Sequence, residues 1–555
     1  MKQMKSLLLF TACMAFIFTT SAQIPHLKKN EYGATQLMVS GKPFLMLCGE
    51  ANNSSGSNIA YMDKTLKALR ESNLNSILVS VSWELIEPRE GAFDFTSVDE
   101  LLRVARLNDM HLGILWFGAW KNSLSPYAPS WVIGDTKRFE RVKYNNGDNS
   151  RILTPLCPAT RDADAKAFAE LMKHIASVDS KDNTILVIQI ENEVGTLGQT
   201  RDFSTAANKA FQSQVPAELM QYMVKNKASL EIELKSAWES NGTKAKGTWT
   251  EVFGKNDDTD MFFMAWNYSL YVNAVAEAGK KAYNIPMYAN CWMPNPRPTP
   301  GKPGNYPSGG PILTVQDIWK AGAPSIDFLS PDLYGGDFKD EANFFHRADN
   351  PLFIPETNTT DGPGTYAFAQ HDAMCFSPFG IDNRGDVMVK EYGMLNQLMP
   401  VITQYQGSGK MIGLYKSQGD TIGRDIKLNN DVTVSIKFQK PWRFPQAAKA
   451  NDPSAKQKDP ACYGLFIQTG ENEFLVAGMN LSVSTYSTNA KKQVWLKDAW
   501  EGTYDNRGVW KPVMLHNGDE AGFLRSGDPI YRIGAYRAYP TEPAIFHFKA
   551  VTYDK

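Results

Sequence analysis

From residue 43 to residue 382, short apolar runs alternate with stretches in which apolar residues recur every three or four positions. The runs read as strands and the stretches as amphipathic helices. That rhythm is βα, and it implies a largely parallel sheet. The strand candidates, in order, are Phe44-Cys48, Ser76-Val81, His111-Trp116, Thr184-Ile190, Pro286-Ala289, Ile326-Ser330, Leu352-Ile354 and Ala373-Phe376. Helical spacing lies between most of them, as in Met62 to Glu71, Val98 to Leu107 and Ala163 to Val178. Eight strands with interleaved helices predict an α/β fold of the closed (β/α)8 TIM-barrel type rather than an open doubly wound sheet. No GxGxxG follows the first run and no GxxxxGK[ST] occurs, so dinucleotide and phosphate loops gain no support.

A final helical stretch runs from Asp386 to Tyr405, before Gly407-Ser408-Gly409. Beyond it the period changes to two, in Asp431-Lys437, Gly464-Gln468, Glu473-Val476, Leu481-Thr485 and Ala544-Tyr553. Asp505-Asn506-Arg507-Gly508 and His516-Asn517-Gly518 supply turn signals. The pattern predicts a barrel over 23–409 and a β-sandwich-like accessory domain over 410–555. Two insertions interrupt the barrel rhythm. Residues 196–255 are rich in Lys, Glu and Ala at helical spacing, and residues 294–311 hold seven Pro and four Gly. Both follow the C-terminal end of a strand, where loops rise over a barrel mouth.

The first 22 residues carry export features. Lys2 and Lys5 precede the apolar run Leu7 to Phe18, and Thr20-Ser21-Ala22 offers small residues for cleavage. The expected product is exported, periplasmic or extracellular, with no later run long enough to span a membrane. Five cysteines remain (Cys48, Cys157, Cys291, Cys375 and Cys462), widely spaced and without a CxxC, which reads as buried thiols rather than zinc ligands. Lys and Arg total 58 against 59 Asp and Glu, a net charge of −1. That balance argues against a nucleic-acid partner, which needs a basic stripe. Aromatic residues make up 12% of the chain, with 13 Trp, and a surplus of flat rings suits the stacking of sugars as well as a core. Oligomeric state is not legible.

The chemistry concentrates at two strand ends. In Ile185 to Gly195 (ILVIQIENEVG), Gln189, Glu191 and Glu193 share one parity and are expected to face the barrel interior. Interior carboxylates cost desolvation energy, and the end of a barrel strand is where such groups catalyse. In Pro351 to Asn358 (PLFIPETN), Glu356 again stands at a strand tip. Two carboxylates facing each other across a barrel mouth are what retaining glycoside hydrolysis needs. Neither metal nor cofactor is expected.

Trp83-Glu84-Leu85-Ile86-Glu87-Pro88-Arg89-Glu90-Gly91-Ala92-Phe93-Asp94-Phe95 and Gln189-Ile190-Glu191-Asn192-Glu193 resemble stretches of clan A glycoside hydrolases. The likeness is to the family 35 β-galactosidases, with some family 42 character. The resemblance implies Glu193 as acid/base, Asn192 as the hydrogen-bonder of the sugar 2-hydroxyl and Glu356 as nucleophile. It also suggests that Tyr334 hydrogen-bonds Glu356. Where family 35 carries G-P-Y-x-x-A-E-W after strand three, this chain has Trp116-Phe117-Gly118-Ala119-Trp120-Lys121, which alters a sugar-recognition loop. Phe376 and Phe379 stand where the clan commonly has a strand-eight Trp.

Further candidates for sugar contact are Trp116, Trp120, Asn290 and Trp292 beyond strands three and five, Glu50 ending strand one, and Glu84 after strand two. Glu191 is read as an interior hydrogen-bonder. The expected function is a retaining exo-glycosidase acting on a β-galactoside-containing glycan. The alternatives are a β-glucosidase, an arabinopyranosidase, an endo-glycanase or a non-catalytic carbohydrate-binding protein.

Overall fold

The computed structural model describes residues 23–294, 301–417, 420, 423–439, 461–516, 530–534 and 542–555. The expected export leader over 1–22, part of the proline-rich loop (295–300) and the expected Asn517-Gly518 turn lie outside the described residues.

Eight parallel strands form the barrel: β1 (Met46–Leu47), β2 (Ser76–Ser82), β3 (His111–Lys121), β4 (Ile185–Asn192), β5 (Met287–Trp292), β6 (Phe328–Leu333), β7 (Ile354–Thr357) and β8 (Cys375–Pro378). Glu50, just past β1, closes the ring by bridging Leu78 on one side and Phe379 on the other. Leu78 N donates to Gly49 O at 2.9 Å and Ala51 N to Leu78 O at 3.0 Å. Most strands extend further toward their C-terminal ends than the apolar runs suggest. Hydrophobicity stops where the packed interior stops, whereas backbone pairing continues into the polar mouth.

One principal helix follows each strand: α1 (Ile59–Glu71), α2 (Thr96–Leu107), α3 (Pro158–Asp179), α4 (Asp257–Ala282), α5 (Gln316–Gly322), α6 (Phe338–Phe345), α7 (Pro363–Gln370) and α8 (Val389–Tyr405). Local chemistry sets their ends. Asn58 caps α1 by accepting from Tyr61 N, and Met62, Leu66 and Leu69 bury its inner stripe. Asn256 caps α4, whose first turn holds Asp257, Asp258 and Asp260 and whose last holds Lys280 and Lys281. Those charges complement the helix dipole.

Two apolar layers result. Leu115, Phe117, Val187, Tyr288, Phe328 and Phe353 fill the barrel interior. Trp83, Trp116, Trp120, Phe168 and Leu171 belong to the larger core between strands and helices. The five described cysteines are buried thiols. The 196–255 insertion forms four short helices, Thr205–Phe211, Ala217–Lys225, Ile232–Ser240 and Trp249–Phe253. It is tied to the described part of the other insertion, since Thr196 and Ser308 exchange backbone hydrogen bonds of 2.9 and 3.0 Å.

After α8 the chain forms two antiparallel sheets of six and four strands. Period two decides how the larger sheet is buried. Phe466, Phe474 and Val476 face the sandwich core. Their neighbours Leu465, Ile467, Leu475 and Ala477 join the core of the barrel. Among the described residues, no helix is long and apolar enough to cross a membrane.

Candidate active site

The tip of β4 departs from regular strand geometry. Glu191 (φ 61°) and Glu193 (φ 46°) both adopt the left-handed conformation, uncommon outside glycine and often found at functional sites. The kink at Glu191 overturns the expectation that it shares an inward face with Glu193. Its Oε1 accepts from Ala119 N at 3.1 Å and its Oε2 from Trp120 N at 2.7 Å. To reach it, β3 bulges. Trp116 pairs with Ile190 and then Lys121 pairs with Asn192, so residues 117–120 wrap the carboxylate. Gly118 is required there, because a Cβ would lie 2.6 Å from Glu191 Oε1 and 2.8 Å from Asp164 Oδ1.

Asp164, on α3, accepts from Trp116 Nε1 and Tyr271 OH, each at 2.9 Å. Burial, then the charge of Asp164, push Glu191 well above the ordinary carboxylate range. The two buried acids therefore share a proton near neutral pH. Glu191 is a structural brace beneath the site.

Glu193 is held at both backbone ends. Its N–H donates to Asn290 Oδ1 at 3.0 Å, and its carbonyl accepts from Ser123 Oγ at 2.8 Å. Asn290 Nδ2 continues to Asp332 Oδ2 at 2.8 Å. Glu356, at the tip of β7, accepts from Asn192 Nδ2 at 3.2 Å on Oε1 and from Tyr334 OH at 2.8 Å on Oε2. Oxygens of Glu193, Asp332 and Glu356 lie within 4.8 Å of one another. Three hard oxygen donors at this spacing are able to share a cation; the hydrolytic chemistry derived below requires none.

Crowding of acids dictates protonation. Burial, then the negative charge of Glu356, raise Glu193 to about 7, against the lowering pull of Lys121. Burial, then Glu356 and Glu193, push Asp332 well above its usual range. Burial and Glu356 push the Tyr334 hydroxyl far up, so it remains a donor.

A cavity of about 460 Å³ opens over these groups, lined by Lys121, Glu193, Trp292, Asp332, Tyr334, Glu356 and Phe379 among others. Trp292 and Tyr334 are 39% and 44% exposed at its mouth. The remaining sequence candidates fall elsewhere. Trp116 and Trp120 are fully buried. Trp120 donates to Leu153 O at 3.0 Å and packs against Tyr268 and Tyr271. They are core residues, not sugar platforms, because both stand on the face of β3 that, with Leu112 and Ile114, packs into the core between strands and helices. Glu84 lies exposed on the short helix Trp83–Ile86, outside the cavity lining. Asn290 is buried behind Glu193.

Glu50 is also buried, with neither oxygen hydrogen-bonded. Burial, then the charge of Glu356, raise it well above the usual range. Sequence reasoning passed over Asp332 and Lys121. Asp332 obeys the same signal as Glu356, a carboxylate at the tip of an apolar strand. Lys121 is the first charged residue after the apolar run of β3.

With that geometry in view, comparison with known proteins adds the following. Residues 55–252 match a family model described as beta-galactosidase (Glyco_hydro_42). The matched stretch runs from just before α1 into the last short helix of the insertion that follows β4. Residues 388–526, which include α8 and much of the sandwich that follows the barrel, match a domain of unknown function (DUF5597). A beta-galactosidase of Xanthomonas manihotis is 29% identical over 174 residues, 29% of this chain and 26% of that protein. A beta-galactosidase of Lactobacillus acidophilus is 26% identical over 136 residues, 24% of this chain and 19% of that one. The matched stretch thus spans about a quarter or less of these relatives' lengths. Similar solved structures include the beta-galactosidase of Bacillus circulans sp. alkalophilus (TM-score 0.43, 14% identity, covering 64% of this chain and 57% of that one). Another is the endo-1,4-beta-mannanase of Rhizomucor miehei (TM-score 0.42, 13% identity, 69% and 100%).

Proposed function

We propose that the protein is a retaining exo-glycoside hydrolase that releases terminal β-D-galactose from oligo- or polysaccharides. The carrying observation is the approach of Glu193 and Glu356 oxygens to within 4.8 Å at the tips of β4 and β7. Retaining enzymes hold their two carboxyls about 5–5.5 Å apart, whereas inverting ones keep about 6.5–9.5 Å to admit a water.

The roles follow from the surroundings. Glu193, raised to about 7, carries a proton and delivers it to the departing glycosidic oxygen. Glu356 accepts hydrogen bonds on both oxygens, and its carboxylate attacks the anomeric carbon as the C–O bond to the leaving group breaks. Glu193, now a carboxylate, takes a proton from water. The hydroxide equivalent attacks the same carbon and expels Glu356, so the sugar leaves with its original configuration. Asn192 Nδ2, already at Glu356, is placed to meet the sugar 2-hydroxyl. Burial and the neighbouring acids favour the protonated forms of Asp332 and Glu50, and Asp332 lines the cavity within reach of a sugar hydroxyl.

Pro294, the first residue of the second insertion, lines the cavity, and a loop walling one side of the site favours removal of end residues over cleavage within a chain. The leader supports an exported protein. Galactose is favoured by the stretches at 83–95 and 189–193 and by the family match over 55–252. Hydrolysis of aryl β-galactoside, β-glucoside and α-L-arabinopyranoside tests the reading, with Glu356→Gln as control. Turnover of the galactoside, lost in the variant, is expected. Preference for another sugar would refute the galactose assignment, and sugar binding without turnover would refute the enzyme.

A further inference from the structure

Lys121 is placed where a mobile cation has no reason to be unless it is used. It ends β3 in register with Asn192 and is only 7% exposed. Its ammonium sits 5.1 Å from the centre of the Phe117 ring. Among the described residues lining the cavity it is the one cation, against the carboxyl groups of Glu193, Asp332, Glu341 and Glu356. The turn that follows is tight, with Asn122 (φ 50°) and Ser123 (φ 56°) both left-handed. Lys121 Nζ donates to Asn192 Oδ1 at 3.0 Å and Ser123 Oγ donates to Glu193 O at 2.8 Å. Two residues of the β3 turn therefore grip two consecutive residues at the tip of β4.

The chemistry of that grip fixes an orientation. An asparagine amide turned by 180° exchanges its oxygen and nitrogen, and the two placements differ little in shape. An ammonium has donors only. Beside it the amide must present Oδ1, which leaves Nδ2 toward Glu356 Oε1 at 3.2 Å. With Lys121 absent, the amide is free to flip and present its oxygen to the carboxylate.

We propose that Lys121 is a positioning residue: by holding Asn192 Oδ1 it aims Asn192 Nδ2 at the nucleophile and at the substrate's 2-hydroxyl, and so makes the site demand a glycoside that bears that hydroxyl. The inference rests on the glycosidase reading above. It assigns to this lysine the place in sugar recognition that the altered strand-three loop left open.

The groups facing Glu193 bear on a second readout. They are Glu356 from β7, Asp332 from β6, Lys121 from β3 and, beyond them, Glu50 after β1. Lys121 is the positive member of this set, so its removal shifts the alkaline limb of the activity profile upward. That shift follows from the charge alone, so the dependence on the 2-hydroxyl is what separates positioning from charge.

The test compares nitrophenyl β-galactoside with its 2-deoxy counterpart in wild type, Lys121→Met, Asn192→Ala and the double variant. On the parent substrate Lys121→Met is expected to lose about 10–100-fold in kcat/KM, the scale of one hydrogen bond to a charged group. On the 2-deoxy substrate the loss is expected to be several-fold smaller, and in the Asn192→Ala background nearly absent. Equal losses on both substrates, or losses that multiply in the double variant, overturn the assignment. If Lys121→Met does not fold, the ratio is read on Lys121→Gln, which keeps a polar fill but ends short of Asn192 Oδ1. Wild-type protein that turns over neither substrate defeats the glycosidase reading itself. Wild-type turnover with equal losses defeats only the role of Lys121.

Discussion

Tyr334 donates its hydroxyl to Glu356 Oε2 over 2.8 Å, joining the tip of β6 to the tip of β7 at the attacking atom. Its raised pKa keeps the proton on the phenol throughout the working range. We predict that Tyr334→Phe lowers kcat about 10–100-fold, since a hydrogen bond to a charged group contributes about 1.5–3 kcal/mol. The melting temperature should hardly move, because the ring is 44% exposed. Steady-state kinetics beside a thermal melt checks both. An unchanged kcat would mean that Asn192 alone orients the nucleophile.

Glu193 sets the alkaline limb. Its pKa of about 7 means that the acid form is lost as pH rises through neutrality. kcat/KM on a substrate needing protonation should therefore fall above about pH 7. Glu193→Gln should flatten that limb. It should also spare dinitrophenyl galactosides, whose leaving group needs no proton, and azide should rescue deglycosylation by yielding β-galactosyl azide. A limb that persists in Glu193→Gln would assign the acid elsewhere.

The same shift makes a stability prediction of opposite sign to the loss of activity. Glu193 moves from an ordinary 4.5 to about 7 on folding, so the folded state binds the proton more tightly. The group's favourable contribution is complete below pH 4.5 and is lost as pH rises through 7. Glu193→Gln removes the buried negative charge. It should melt like wild type near pH 4.5 and be more stable by roughly 2–3 kcal/mol near pH 8. Denaturant melts at the two pH values decide, and equal stability at both would contradict the shift.

Three residues separate brace from site. Trp116→Ala should cost about 3–5 kcal/mol of stability, as a fully buried Trp does, whereas Trp292→Ala should leave stability nearly intact and raise KM for oligosaccharides. Glu191→Leu leaves the N–H groups of Ala119 and Trp120 without acceptors, at about 1–3 kcal/mol each. Its main effect should be a lower denaturation midpoint. A Glu191→Leu protein as stable as wild type would refute the shared-proton brace.

The barrel was legible because its strands are mostly apolar, and a run such as Ser76-Val81 has no other use for five buried residues. Glu193 and Glu356 were legible because each is a carboxylate at the end of such a run. Alternation failed at one residue. The left-handed φ of Glu191 reverses its side chain, and the compensating bulge at 117–120 turns the Ala119 and Trp120 amides to it. Neither irregularity has a local signal, since both depend on Asp164 from a distant helix. Asp332 and Lys121 carry the same signal, a charged residue at the end of an apolar run, but nothing local marks either as facing Glu193 and Glu356. That both faces of the strands Tyr463–Gln468 and Glu473–Met479 are buried follows from their pattern only once the barrel is known to lie against them.

The most direct measurement is to treat the protein with 2-deoxy-2-fluoro-β-D-galactosyl fluoride and map the product by peptide mass spectrometry. The 2-fluorine slows departure of the sugar more than its arrival, so a double displacement stalls as a glycosyl ester. We predict stoichiometric inactivation and one 2-deoxy-2-fluorogalactosyl group on the peptide containing Glu356, absent in Glu356→Gln. Labelling at Glu193, Asp332 or Glu50 would contradict the assignment of roles, and turnover of galactosides with no covalent adduct would contradict the retaining mechanism.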